Sequence, residues 1–150
     1  MRLDLSLPVL VVDDFTTMTK IICNILKQIG FQNVDMVHSG NEALAKLRAQ
    51  KYSLVISDWN MESMSGYDLL KEIRSDEKLA NVCFIMISAE ASISHVVEAR
   101  NAHADSYVVK PFNAQSLKAK IEEAFTNRRT SGGSFHQPAT KPPVAGAAQQ

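Results

Sequence analysis

Asp13, Asp14, Asp58, Ser88 and Lys110 are the side chains of this sequence best suited to chemistry, and each stands at the end of an apolar run. Val9–Val12 is followed by Asp13-Asp14, Leu54–Ser57 by Asp58, and Tyr107–Val109 by Lys110-Pro111, while Ser88 closes Val82–Ser88. Three carboxylates brought together repel one another and call for a cation. Hard oxygen ligands without His or Cys select Mg²⁺ over zinc or copper. A magnesium ion that keeps several waters usually also meets a phosphate oxygen, for which an ammonium and a hydroxyl are fitting neighbours. The chemistry indicated is phosphoryl transfer with a carboxylate as nucleophile. Taken singly, each residue has a plainer reading: a solvated loop acid, a turn cap, a common Lys-Pro pair, a helix-start serine. The combination carries the signal.

The runs themselves are the elements that would position these groups. Val-Leu-Val-Val and its counterparts suit strands buried on both faces of a parallel sheet. A fifth such run is Val34–Val37. Helical periods lie between the runs. Phe15, Met18, Ile22, Ile25, Leu26 and Ile29 recur at three- and four-residue spacing before Gly30, which predicts a helix and its stop. Ala43, Leu44 and Leu47 mark a second helix, Leu69, Leu70 and Ile73 a third, and Ile93, Val96 and Val97 a fourth. Leu117, Ile121, Ala124 and Phe125 mark a fifth, with Asn113 as its N-cap. Strict alternation predicts an α/β fold, a five-stranded doubly wound parallel (βα)5 sheet with helices on both faces. In such sheets function gathers at the carboxyl ends of the strands, where the five residues fall.

Of the 150 residues, 16 are Lys or Arg and 16 Asp or Glu, so the formal net charge is zero. Neutrality argues against a nucleic-acid binder or a membrane-surface binder. The zero conceals a division, because residues 1–126 hold all the acids while Arg128, Arg129 and Lys141 lie beyond them. The expected organisation is one domain over 1–126 and a disordered Pro/Gly/Ala-rich basic tail over 127–150. The amino terminus does not read as a signal peptide and no run approaches a membrane span, so a cytoplasmic protein without membrane insertion is expected. Cys23 and Cys83 read as buried free thiols rather than a disulfide.

Asp13-Asp14, Asp58, Ser88 and Lys110-Pro111 resemble the signature of response-regulator receiver domains, and the similarity covers residues 7–126. Val-Val-Asp-Asp-Phe at 11–15, Val-Ile-Ser-Asp-Trp-Asn-Met at 55–61, Ala-Glu-Ala at 89–91 and Tyr-Val-Val-Lys-Pro-Phe at 107–112 are similar to the chemotaxis-regulator (CheY-like) type. The resemblance implies the strand order 2-1-3-4-5 and a set of roles. Asp58 would accept a phosphoryl group from a histidine kinase of the CheA-like kind. Asp13, Asp14, Asp58 and the backbone carbonyl of Asn60 would hold Mg²⁺, and Lys110 would bind the phosphoryl oxygens. Ser88 would move toward the phosphoryl group and Tyr107 would follow from an exposed to a buried rotamer. Asn60 and Glu90 would tune turnover, giving a phospho-form lasting seconds to minutes. Ala91, Tyr107 and Lys120 would belong to a partner surface on the fourth helix, fifth strand and fifth helix.

The resemblance further implies a stand-alone monomeric receiver, a signalling phosphoacceptor rather than an enzyme. Its output is a protein, the flagellar motor switch first, with a phosphatase as a further partner and no nucleic acid. A phosphate sink or phosphorelay intermediary is the alternative. Two other classes fit less well. An Asp-nucleophile phosphohydrolase needs a general acid–base two residues past the nucleophile, where Asn60 stands. A flavodoxin-like cofactor binder needs a phosphate cradle where Asp13-Asp14 would repel one. The chain also departs from the receiver pattern. Glu62 replaces the usual Pro after Met61, which removes a fixed φ and adds a negative charge. His103 stands where Gly is common, a position His can fill because it tolerates positive φ better than most residues.

Overall fold

The computed structural model describes residues 3–132. Five strands alternate with five helices: β1 (Val9–Val12), α1 (Thr16–Ile29), β2 (Val34–Val37), α2 (Gly40–Ala49), β3 (Leu54–Asp58), α3 (Gly66–Ser75), β4 (Cys83–Ser88), α4 (Ile93–Asn101), β5 (Ser106–Val109) and α5 (Ala114–Gly132). All pairings are parallel and the strand order is β2-β1-β3-β4-β5, as the family resemblance implied. In register, Val12 pairs with Ser57, Asp58 with Ile87, and Ser88 with Val109. This alignment brings the carboxyl ends of β1, β3, β4 and β5 to one edge.

Alternate strand residues feed two cores. Val9, Val11, Leu54, Ile56, Ile85, Ile87 and Val108 pack with Ile22 and Leu26 of α1 and with Leu117, Ile121 and Ala124 of α5. Leu10, Val12, Val55, Phe84 and Met86 pack with Ala43, Leu44 and Leu47 of α2 and with Leu69, Leu70 and Ile73 of α3. Burial on both faces explains the continuous apolar runs, and each fully buried Leu or Ile contributes about 1.5–3 kcal/mol. Helix starts are set locally. Ser39, Ser65 and Ser92 accept the N–H of Glu42, Asp68 and His95, and Asn113 exchanges hydrogen bonds with Ser116 at the head of α5. Cys23 and Cys83 are buried free thiols.

The fourth and fifth helices form where expected, each with one feature that the spacing does not show. The apolar period of α4 does not face the core: Ala99 is its buried residue, while Ile93 is 82% exposed and Val97 is exposed as well. The ordered chain also continues past residue 126. Helix α5 runs to Gly132, and its last turns are held by Asp105, the residue before β5. Asn127 Nδ2 donates to the Asp105 carbonyl and Arg128 Nε to Asp105 Oδ1, both at 2.9 Å. Asp105 Oδ2 accepts from Arg74 Nη2 at 3.0 Å and from the Phe84 N–H at 2.9 Å. A buried carboxylate shared by two guanidinium groups therefore ties α3, β4 and α5 together. The Pro/Gly/Ala-rich segment 133–150 lies outside the described residues.

The turn between α4 and β5 forms around His103, whose φ is 73°. The His103 N–H donates to the Arg100 carbonyl at 2.9 Å and the Ala104 N–H to the Ala99 carbonyl at 3.0 Å, the two bonds of a Schellman stop. The His103 carbonyl then accepts from Arg74 Nη2 at 2.9 Å and Nε at 3.1 Å. These bonds hold a non-glycine residue in the left-handed region.

Candidate functional site

Asp13 is buried where β1 ends. Its Oδ1 accepts the Phe15 N–H at 3.0 Å, which also sets the entry into α1, and its Oδ2 is buried with no hydrogen-bond partner. Burial pushes the Asp13 carboxyl up to about 6, and the neighbouring Asp58 and Asp14 carboxylates add to the rise. The Phe15 N–H and the Lys110 ammonium pull the other way. A buried carboxylate oxygen without a partner is expensive, and a cation is the group that would satisfy it.

Asp58 ends β3 and forms an ion pair with Lys110, with Nζ 2.7 Å from Oδ1 and the two side chains 25% and 8% exposed for Lys110 and Asp58. The Lys110 N–H donates to the Ser88 carbonyl at 2.9 Å, which fixes the start of the β5–α5 loop against β4. The β3–α3 loop is closed by two bonds of 2.8 Å, from the Trp59 N–H to the Ile87 carbonyl and from the Gly66 N–H to the Trp59 carbonyl. Gly66 is required there: a Cβ would lie 2.1 Å from the Asp58 carbonyl oxygen.

Asp14 is exposed, and its Oδ2 accepts the backbone N–H of Glu62 at 2.9 Å. Among the described residues, no three His, Cys, Asp or Glu side chains are gathered so as to hold an ion as they stand. Asp58 is taken up by Lys110 and Asp14 by the loop. The donor set nonetheless fits Mg²⁺, because it is all oxygen and includes the unpartnered Asp13 Oδ2.

Ser88 and Tyr107 meet at one residue, Glu90. Ser88 Oγ, buried, accepts the Glu90 N–H at 3.0 Å, and the Tyr107 hydroxyl donates to the Glu90 carbonyl at 2.5 Å. Tyr107 is half-buried, with its ring against the second core and edge-on to Trp59 at 6.3 Å between centroids. Asn60, Glu90 and Ala91 are exposed on the loops beside Asp58. Lys120 lies apart from these groups on α5, 3.8 Å from Glu123.

The site thus brings together Asp13, Asp14, Asp58, Ser88 and Lys110, with Tyr107 joined through Glu90. Two neighbours escaped the sequence reading. Tyr67 stacks on Trp59 at 5.5 Å and His95 of α4 tilts against it at 4.7 Å, so Trp59 is packed between α3 and α4. No periodicity marks such a contact. The Glu62 N–H was legible in principle, since a residue replacing proline regains a donor.

A doubly wound sheet of order 2-1-3-4-5, with acids at the ends of β1 and β3 and a lysine after β5, defines a class. The chain belongs to the response regulator receiver domain family, which residues 9–122 match. It is a CheY-like receiver of two-component signalling. It is 44% identical over 117 residues to the chemotaxis protein CheY of Pseudomonas aeruginosa, a match covering 78% of this chain and 94% of that protein. It is 42% identical over 123 residues to CheY-3 of Vibrio cholerae, covering 82% and 95%. Among solved structures, chemotaxis protein CheY4 of Vibrio cholerae superposes with a TM-score of 0.74 at 28% identity over 79% of this chain and 98% of that one. The receiver domain of a sensor histidine kinase of Pseudomonas aeruginosa, solved with magnesium coordinated in its active site cleft, shares the fold at 24% identity, with a TM-score of 0.72 over 81% and 98%. No helix among the described residues is long and apolar enough to cross a membrane.

Proposed function

We propose that this chain is a magnesium-dependent phosphoacceptor switch in which Asp58 takes a phosphoryl group from the phosphohistidine of a CheA-like histidine kinase. An Asp58 carboxylate oxygen forms the new bond to phosphorus as the donor's phosphorus–nitrogen bond breaks, leaving an acyl phosphate. The observation that carries this reading is the Asp58–Lys110 pair of 2.7 Å beside the unpartnered Asp13 Oδ2. One cation already sits on the acceptor, and one oxygen of a buried acid is still without a partner.

Asp13, Asp14, Asp58 and the Asn60 carbonyl would hold Mg²⁺, whose contribution is to neutralise charge on the transferring oxygens. Lys110 follows the negative charge from the carboxylate to the phosphoryl oxygens. When Ser88 turns to donate to the same oxygens it releases the Glu90 N–H, and the Glu90 carbonyl holds Tyr107. The β4–α4 loop and Tyr107 therefore respond together, and the surface of α4, β5 and α5 changes with them. A two-state bias of a few kcal/mol suffices for such a switch. Asn60 and Glu90, exposed beside Asp58, set the rate at which water reaches the acyl phosphate.

The chemotaxis relatives support a cytoplasmic protein output, the flagellar motor switch, and the exposed Ile93 and Val97 of α4 supply apolar contact area on that face. Trp59, the only tryptophan, tests the core of the proposal. Its fluorescence should change on titration with Mg²⁺ and change again with a small phosphodonor, the second change vanishing in Asp58→Asn. A donor response unaltered by that substitution would defeat the reading.

A further inference from the structure

The segment between β3 and α3 differs from a proline-containing loop in one chemical respect, an N–H at position 62, and that N–H is in use. It donates to Asp14 Oδ2 at 2.9 Å, and no other hydrogen bond to that carboxylate is formed among the described residues. The rest of the loop fixes this donor in place. The Met64 N–H closes a tight turn onto the Glu62 carbonyl at 2.7 Å, with Ser63 at the bend in a left-handed conformation, φ 68°. A three-residue turn of this hand on a residue with a Cβ is uncommon and costly. The turn is braced on both sides. The Met64 side chain lies against Gly40 at the head of α2, so closely that a Cβ on Gly40 would fall 2.5 Å from its Sδ. The Gly66 N–H is bound to the Trp59 carbonyl.

Asp14 is therefore held by the loop while the neighbouring Asp13 Oδ2 lacks any partner. A carboxylate–amide bond is charge-assisted and stronger than a neutral one, so any turn of Asp14 toward an ion that withdraws Oδ2 from the Glu62 N–H costs this bond. We propose that the Glu62 peptide N–H, presented by the Ser63 turn, is a latch that holds Asp14 away from the metal position and sets the magnesium affinity of the site. Glu62 is then a positioning residue acting through Asp14. This inference rests on the proposed assignment of Asp13, Asp14 and Asp58 as magnesium ligands.

The test compares Glu62→Pro with Glu62→Gln. Both remove the carboxylate, whose charge would itself attract the ion, and proline alone also removes the N–H. Magnesium Kd is measured on the full chain by Trp59 fluorescence and by calorimetry. Glu62→Pro should bind magnesium about tenfold more tightly than Glu62→Gln, equivalent to about 1.4 kcal/mol. In the wild-type protein, hydrogen exchange at the Glu62 amide should quicken when magnesium saturates the site. Equal affinity of the two variants overturns the latch, and so does an unchanged Glu62 exchange rate in a protein that binds magnesium. Should Glu62→Pro fail to fold, the exchange measurement decides alone. Absence of magnesium binding in the wild type and both variants would instead remove the ligand assignment beneath the proposal.

Discussion

Asp13 should destabilise the metal-free protein, and Asp13→Asn should relieve it. The carboxyl is 1% exposed, one oxygen has no partner, and burial raises it from 3.8 to about 6. At about 1.36 kcal/mol per unit, the charged form costs the folded state up to about 3 kcal/mol. The direction follows from proton binding. Between pH 4 and 6 the folded chain holds a proton on Asp13 that the unfolded chain has released, so this residue's contribution to stability falls as pH rises and levels off above 6. Asparagine keeps the acceptor for the Phe15 N–H and carries no charge. Urea unfolding in a chelator should therefore show Asp13→Asn more stable than wild type at pH 8, by about 1–3 kcal/mol, with the difference closing toward pH 4. Saturating magnesium should shift the comparison toward wild type, because an ion bound only by the folded state stabilises it. A variant less stable than wild type at pH 8 in chelator, or a difference independent of pH, would refute the reasoning.

The Asp105 cluster makes a separate prediction. Asp105→Ala leaves the largely covered Arg74 and Arg128 guanidinium groups without their shared buried carboxylate and should cost about 3–5 kcal/mol in urea unfolding; a loss below about 1 kcal/mol would contradict it. A chain ended after residue 126 should be measurably less stable than one ended after 132, since only the longer keeps the Asn127 and Arg128 bonds to Asp105; equal denaturation midpoints would show that these bonds contribute little. His103→Gly should raise stability by about 1 kcal/mol by relieving a left-handed residue with a Cβ, and a lower melting temperature would show that the imidazole contributes more than the strain costs.

The parts of this molecule written in periodicity were legible. Strands buried on two faces leave apolar runs, helices leave three- and four-residue spacing, and the residues after each run fall at one sheet edge whatever the loops do. Asp13, Asp58, Ser88 and Lys110 were therefore identifiable before any geometry, and the turn at His103 was foreseen from its tolerance of positive φ. Contacts between polar groups distant in the chain leave no such trace. Arg128 sits in a basic stretch with no apolar period, yet its guanidinium reaches Asp105 and carries α5 past the expected boundary. Ile93 and Val97 fit a core-facing pattern, but α4 is anchored by Ala99 and leaves both exposed. The substitution at Glu62 was visible as added charge, whereas its consequence lies in the backbone N–H bound to Asp14.

The central claim is that Asp58 is the phosphoacceptor and that magnesium is required. Intact-mass measurement of the purified chain, incubated with a small phosphodonor with and without magnesium, tests it most directly. A single phosphoryl adduct should form with magnesium, map to Asp58, and be absent in Asp58→Asn and in chelator. An adduct that persists in Asp58→Asn, or no adduct at saturating magnesium and donor, would contradict it.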